Sequence, residues 1–132
     1  MEQTAIYNPE TLGEVKGLYV QGTRYRDLFF TTQVPTRSDG TIVEGGAYEQ
    51  MLQVMYNIKA ALTEVGGTLE NVLTIRIYVT DMAYYGDINR AYGEVMTVSP
   101  LPTRTCVQVA GLVPGYKVEV EAMCRVEEIG EK

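Results

Sequence analysis

The stretch whose reading decides the fold is Leu101–Arg125, LPTRTCVQVAGLVPGYKVEVEAMCR. Two alternating segments, Thr103 to Ala110 and Lys117 to Val126, flank a Val-Pro-Gly-Tyr break, which predicts two strands joined by a turn or short loop as a hairpin. Alternation puts Arg104, Cys106 and Gln108 on one face of the first strand and Thr105, Val107 and Val109 on the other. On the second strand Lys117, Glu119, Glu121 and Met123 form a polar face. The opposite face, Val118, Val120, Ala122 and Cys124, belongs in a core.

An arginine and glutamates on one side of a sheet need partners or water, because an unpaired ion is costly to bury. One reading is a wet face on which Arg104 pairs with a glutamate across the strands, worth at most about 1 kcal/mol. The other is a guanidinium fork held on a rigid strand to grip a carboxylate or phosphate through two parallel bonds. Alternation alone leaves both open.

Composition narrows the function classes. The 132 residues suit one domain with a single core. No apolar run approaches the roughly 20 residues needed to span a bilayer, and MEQTAIYNPE has neither a basic n-region nor an apolar h-region, so a cytoplasmic protein away from membranes is expected. A net charge of -6 without a Lys/Arg cluster argues against a nucleic-acid partner. Cys106 and Cys124 are far apart and read as free thiols. The chain has no histidine, which excludes Ser-His and Cys-His mechanisms and disfavours a zinc site.

Outward from the C-terminal stretch, residues 1–16 read as an irregular lead-in, with Asn8-Pro9 as a turn. Gly17–Gly22 and Asp27–Pro35 read as a strand pair rich in aromatic and β-branched residues. Residues 36–46 are a polar loop. From Ala47, Met51, Met55, Ile58, Leu62 and Val65 make one apolar helical stripe that Gly66-Gly67 ends. Such a methionine stripe fits a helix packed on its own sheet better than a promiscuous binding surface. Val72–Thr80 alternates, with Leu73, Ile75, Ile77 and Val79 on one side and Thr74, Arg76 and Tyr78 on the other. Asp81 then suits the N-cap of a second helix running to about Met96, with Ile88, Tyr92 and Val95 along its apolar line. The order is two strands, helix, strand, helix, two strands. Two helices would cover one sheet face; the other, with Arg76, Tyr78, Arg104, Gln108, Glu119 and Glu121, suits burial against copies of the same chain.

Pro102, Arg104, Cys106, Val107, Ala110 and Leu112, followed by Val118-Glu119-Val120, resemble the signature of the RidA (YjgF/YER057c/UK114) family of imine deaminases. Gly17-Leu18-Tyr19-Val20-Gln21-Gly22 resembles a second family segment. In a third, Thr31-Thr32 replace the family's Ser-Gly; a β-branched residue there either reshapes the pocket or merely packs on its strand. Thr105 and Val120 also depart from the commonest form.

The resemblance implies an α+β, chorismate-mutase-like domain over 1–132, with a mixed sheet and two helices on one face, assembled as a homotrimer around a central barrel with a site in each of three clefts. It implies hydrolysis of enamines or imines such as 2-aminoacrylate to 2-keto acids and ammonia, without metal or cofactor. Arg104 would clamp the substrate carboxylate, and Glu119 would position water or relay a proton. Cys106, Tyr19, Thr32 and Asn89 would line the substrate site. Cys106 would serve in binding, since nothing activates its thiol. Glu121 is expected to pair with Lys117, Arg125 or Arg76. Three rivals stay open: a deaminase of larger 2-aminomuconate-type enamines, suited by the tyrosines including Tyr84, Tyr85 and Tyr116; a trimeric binder of small carboxylates without turnover; and an endoribonuclease, which the charge and missing histidine disfavour.

Overall fold

The computed structural model describes residues 4–6 and 12–127. It comprises strands β1 (Thr4–Ile6), β2 (Gly22–Tyr25) and β3 (Leu28–Gln33), helix α1 (Ala47–Glu64), strand β4 (Val72–Val79), helix α2 (Tyr85–Val95), and strands β5 (Thr103–Gln108) and β6 (Val118–Arg125). The strands form one six-stranded sheet in the order β1-β2-β3-β6-β4-β5. Only β4 and β5 run parallel; the other neighbours are antiparallel. The mixed sheet with two helices agrees with the α+β expectation.

The helices form where the stripes lie. Met51, Met55, Ile58 and Leu62 are fully buried, joined by Val54 and Ala61, and Ile88, Tyr92 and Val95 of α2 are buried beside them. They pack on Phe29, Ile75, Ile77, Val79, Val118 and Val120, each 0% exposed. Fully burying an aliphatic or aromatic side chain contributes about 1.5–3 kcal/mol, so this layer dominates stability. The methionines therefore belong to the core. The Glu49 carboxylate accepts the Gly46 N–H at 2.7 Å and fixes the start of α1. Asp81 accepts the Ala83 N–H at 2.9 Å, capping a short 3-10 turn, Met82–Tyr84, that leads into α2.

Four expectations change. First, β5 and β6 are not a hairpin, because β4 lies between them. The α2 crossover delivers β5 parallel to β4, and β6 returns antiparallel on the other side of β4. The connection spans the end of β4, where Val109 N–H donates to Val79 O at 2.8 Å and Thr80 N–H to Lys117 O at 3.1 Å.

Second, the parallel register sets Arg104 beside Ile75, Cys106 beside Ile77 and Gln108 beside Val79, so these three rise on the helix-covered face. Arg76, Tyr78, Glu119 and Glu121 occupy the open face. Third, Gly17–Gln21 is not a strand. The two-residue turn Arg26-Asp27 makes pairing run out at Gly22–Thr31, and side chains hold the preceding segment instead: Gln21 Nε2 donates to Gly13 O at 2.6 Å, and the Thr31 hydroxyl to Gln21 O at 2.7 Å. Within the expected irregular lead-in, Thr4–Ile6 pairs with β2; the Asn8-Pro9 turn lies outside the described residues. Fourth, the β4–β6 register slips between Val72 and Thr74, so Val72 is buried at 5% while Leu73 is 47% exposed. A bulge re-aims one residue, and the alternation expected from Leu73 starts at Ile75 instead.

Candidate functional site

Arg104 sits on β5, the edge strand, facing α2. Tyr85, Asn89 and Tyr92 follow one another at helical spacing, so one line of α2 meets the guanidinium. Nη2 of Arg104 donates to Asn89 Oδ1. The guanidinium carbon lies 4.9 Å from the Tyr92 ring centroid and 5.5 Å from that of Tyr85, within cation–π range. Tyr92 is buried, whereas Tyr85 is exposed. The ion pairs among the described residues are Arg90–Asp87 and Arg125–Asp27, so Arg104 has no carboxylate partner. Pairing with a glutamate across a hairpin is thereby overturned: the glutamates leave the sheet on the other side. Held by neutral groups, the fork keeps N–H donors for an anion.

Cys106, half-buried one pleat along, packs against the core. Burial pushes its thiol up, and Arg104 offsets this only in part, so the geometry does not favour a thiolate. Cys124 is pushed up to about 12 by burial alone. Among the described residues no group of three or more Cys, Asp or Glu could hold a metal ion.

On the open face, Glu119 stands beside Tyr78, and Glu121 lies between Arg76 and Thr32. The Tyr78 hydroxyl donates to Glu121 Oε1, which replaces the expected ion pair; Arg125 instead binds Asp27 at 2.9 Å. Burial raises the Glu119 carboxyl above its ordinary range, and the charge of Glu121 adds to this. A cavity of about 420 Å³ opens over Glu119, lined also by Tyr19, Thr32, Val34, Val113 and Tyr116. A second, of about 340 Å³, lies over Arg76 and Glu121. Thr32 borders both. The Thr31-Thr32 pair thus divides its roles: Thr31 is buried, donating to Gln21 and accepting from Gln33 Nε2 at 3.0 Å, while Thr32 is an exposed cavity wall.

The candidate residues therefore gather in two groups. Arg104, Cys106 and Asn89 meet at the β5 edge, and Tyr19, Thr32 and Glu119 meet at the larger cavity; one chain does not bring the groups together. Tyr85 and Tyr116, named from the sequence only as suiting a larger substrate, and Tyr92 belong to these groups. Tyr92 was legible only as core, and Tyr116 lies in a break without periodicity.

The family described as endoribonuclease L-PSP matches residues 11–126. The chain is 34% identical over 127 residues to protein DfrA of Myxococcus xanthus, covering 93% of this chain and 95% of that protein. It is 29% identical over 110 residues to TdcF of Escherichia coli K12, named as a candidate reactive intermediate deaminase, covering 81% and 85%. The crystal structure of E. coli TdcF with bound serine superposes with a TM-score of 0.81 at 28% identity, covering 92% and 98%. A Yersinia pestis structure ascribed to the conserved Rid protein family reaches 0.88 at 26% identity, covering 95% of this chain and 100% of that one. Sequence match and fold agree along nearly the whole length, and the chain belongs to the endoribonuclease L-PSP family, which is the YjgF/RidA family.

Proposed function

We propose that the protein is an enamine/imine deaminase that hydrolyses small 2-imino acids to 2-keto acids and ammonia. The observation that carries this reading is Arg104: a guanidinium fixed by Asn89 and two tyrosine rings, with no acidic partner among the described residues. A candidate reactive intermediate deaminase among the relatives, and the serine bound in its structure, favour an amino-acid-like ligand.

In this reading the two groups meet between copies. Arg104, Cys106 and Asn89 of one chain face Tyr19, Thr32 and Glu119 of the next, in a homotrimer around a central barrel, which also covers the exposed Phe30 and Val107 of the open face. Arg104 clamps the carboxylate, which fixes the conjugated C=N bond against the Glu119 side. The protonated imine accepts water at carbon. Glu119 takes a proton from that water and returns it to the amino nitrogen; the C–N bond of the adduct breaks as its hydroxyl oxygen forms the C=O bond, and the hydroxyl proton leaves with the nitrogen as ammonium. No metal or cofactor enters these steps, and we place the protein in the cytoplasm; no helix among the described residues is long and apolar enough to cross a membrane.

Arg104→Ala tests the proposal. Turnover of 2-aminoacrylate, generated in place by a pyridoxal-phosphate enzyme, should vanish while the oligomer seen by light scattering persists. Full turnover by that variant, or a mass near 14.7 kDa for the native protein, overturns the reading. Affinity for 2-keto acids without hydrolysis would identify a binder instead. Ribonuclease action is disfavoured by the -6 net charge, and a nuclease assay on repurified protein checks it.

A further inference from the structure

In the single chain the cavity over Glu119 measures about 420 Å³, before the Arg104 group of a neighbouring copy closes it in the proposed assembly. Its apolar and aromatic walls are Val20, Val34, Val113, Tyr19 and Tyr116; Glu14, Gln21, Gln33 and Thr36 line it as well.

Tyr116 is the wall that the fold takes most trouble to place. It lies in a loop, yet the backbone on both sides is gripped by one side chain from α1. Gln50 Nε2 donates to Gly115 O at 2.9 Å, and Gln50 Oε1 accepts from Lys117 N–H at 2.8 Å. Gln50 is 2% exposed, and its amide also donates to Val43 O at 3.1 Å. Gly115 adopts φ +96°, and a Cβ there would come within 2.9 Å of Ile42. Tyr116 N–H closes the turn onto Val113 O at 2.9 Å. A buried amide that spends its hydrogen bonds on the two peptides flanking one half-buried tyrosine fixes the backbone from which that ring projects.

We propose that Tyr116 is a specificity-determining residue, pinned by Gln50, that selects imino acids with a large flat apolar side chain over three-carbon ones. The inference rests on the deaminase reading for the reacting group, but not for the selection itself. The carboxylate and imine would sit at the Arg104 and Glu119 end, and the side chain would extend along the Tyr116 ring, where stacking and desolvation favour an aromatic over a methyl group.

The test is calorimetric titration of the native oligomer with phenylpyruvate and with pyruvate, stable products of the two substrate classes. Phenylpyruvate should bind about tenfold tighter or more. Tyr116→Ala should bring the ratio of the two affinities near one, and Tyr116→Phe, which keeps the ring and tests the fold, should retain it. Equal binding by the native protein, or an unchanged ratio in Tyr116→Ala, overturns the proposal. Hydrolysis of the imines made from phenylalanine and alanine by an amino acid oxidase is read separately. Selective binding without hydrolysis removes the deaminase reading and leaves this one; hydrolysis without selectivity in KM does the reverse.

Discussion

Ile75 stands directly beside Arg104 in the parallel pair of β4 and β5, so the arginine shares a face with the core. Glu119, across β4 from it, stands beside Tyr78 on the opposite face. On the proposed reading a clamp and a proton carrier mounted on opposite faces cannot act on one small molecule within one chain, and that is why the reading places the site between copies.

The support of Arg104 is geometric, so a lysine should not replace it. Arg104→Lys keeps the charge but loses the planar fork and the stacking on Tyr92. With charge-assisted bonds at about 1.5–3 kcal/mol, kcat/KM for imine hydrolysis should fall about 100-fold. A lysine variant within threefold of the native rate would show that charge alone suffices.

Glu119 gives a signed pH effect. Its folded carboxyl titrates above the ordinary 4.5, because burial and then Glu121 disfavour the charge. Between the unfolded and folded values the native state holds the extra proton, so stability contributed by this group is full below the ordinary value and declines as pH rises through the folded one. Glu119→Gln should remove that decline, raising the melting temperature relative to the native protein at pH 7 more than at pH 4, while turnover drops. The acid limb of the native pH–rate profile should lie above the ordinary carboxylate range. Melting curves and rates from pH 4 to 8 measure both, and a melting difference independent of pH would contradict the assignment.

Arg24 is a structural counterpart to Arg104. It is 5% exposed, and its guanidinium donates to the backbone carbonyls of Arg26 at 3.2 Å, Val65 at 3.4 Å and Glu127, tying the β2–β3 turn to the end of α1 and to the chain after β6. Arg24→Met should destabilise the fold by about 2–3 kcal/mol, since buried carbonyls lose their donors. Urea unfolding measures it; a loss below about 0.5 kcal/mol, the range of ordinary surface changes, would show the ties to be incidental.

The bulge at the start of β4 predicts opposite responses at neighbouring positions. Val72→Ala should cost about 1–2 kcal/mol, as deletion of buried methyl groups does. Leu73→Ala, on the exposed side, should stay within about 0.5 kcal/mol. Reversed values would restore the regular alternation.

Much of the fold was legible because periodicity reports local conformation directly. The stripe from Met51 to Leu62 and the alternation from Val118 to Cys124 each describe one element and the face it buries. What alternation does not contain is the neighbour of a strand. Val109–Lys117 has the turn residues of a hairpin, yet β4 lies between its flanking strands, and the face assigned to Arg104 depended on that pairing. The residues gathered at each half of the candidate site came from the family resemblance rather than from periodicity. Tyr85 and Tyr116 entered only as tyrosines suiting a larger substrate and not at a stated position, because a ring beside a guanidinium or in a loop leaves no periodic trace.

The grip of Gln50 on Gly115 and Lys117 touches only main-chain atoms and so is indifferent to the side chain between them. The scaffold therefore tolerates exchange at position 116 without refolding around it. On the proposed reading, ligand preference shifts there by single substitutions while the groups around Arg104 and Glu119 stay untouched, a separation that makes this corner of the molecule an inviting place to redesign.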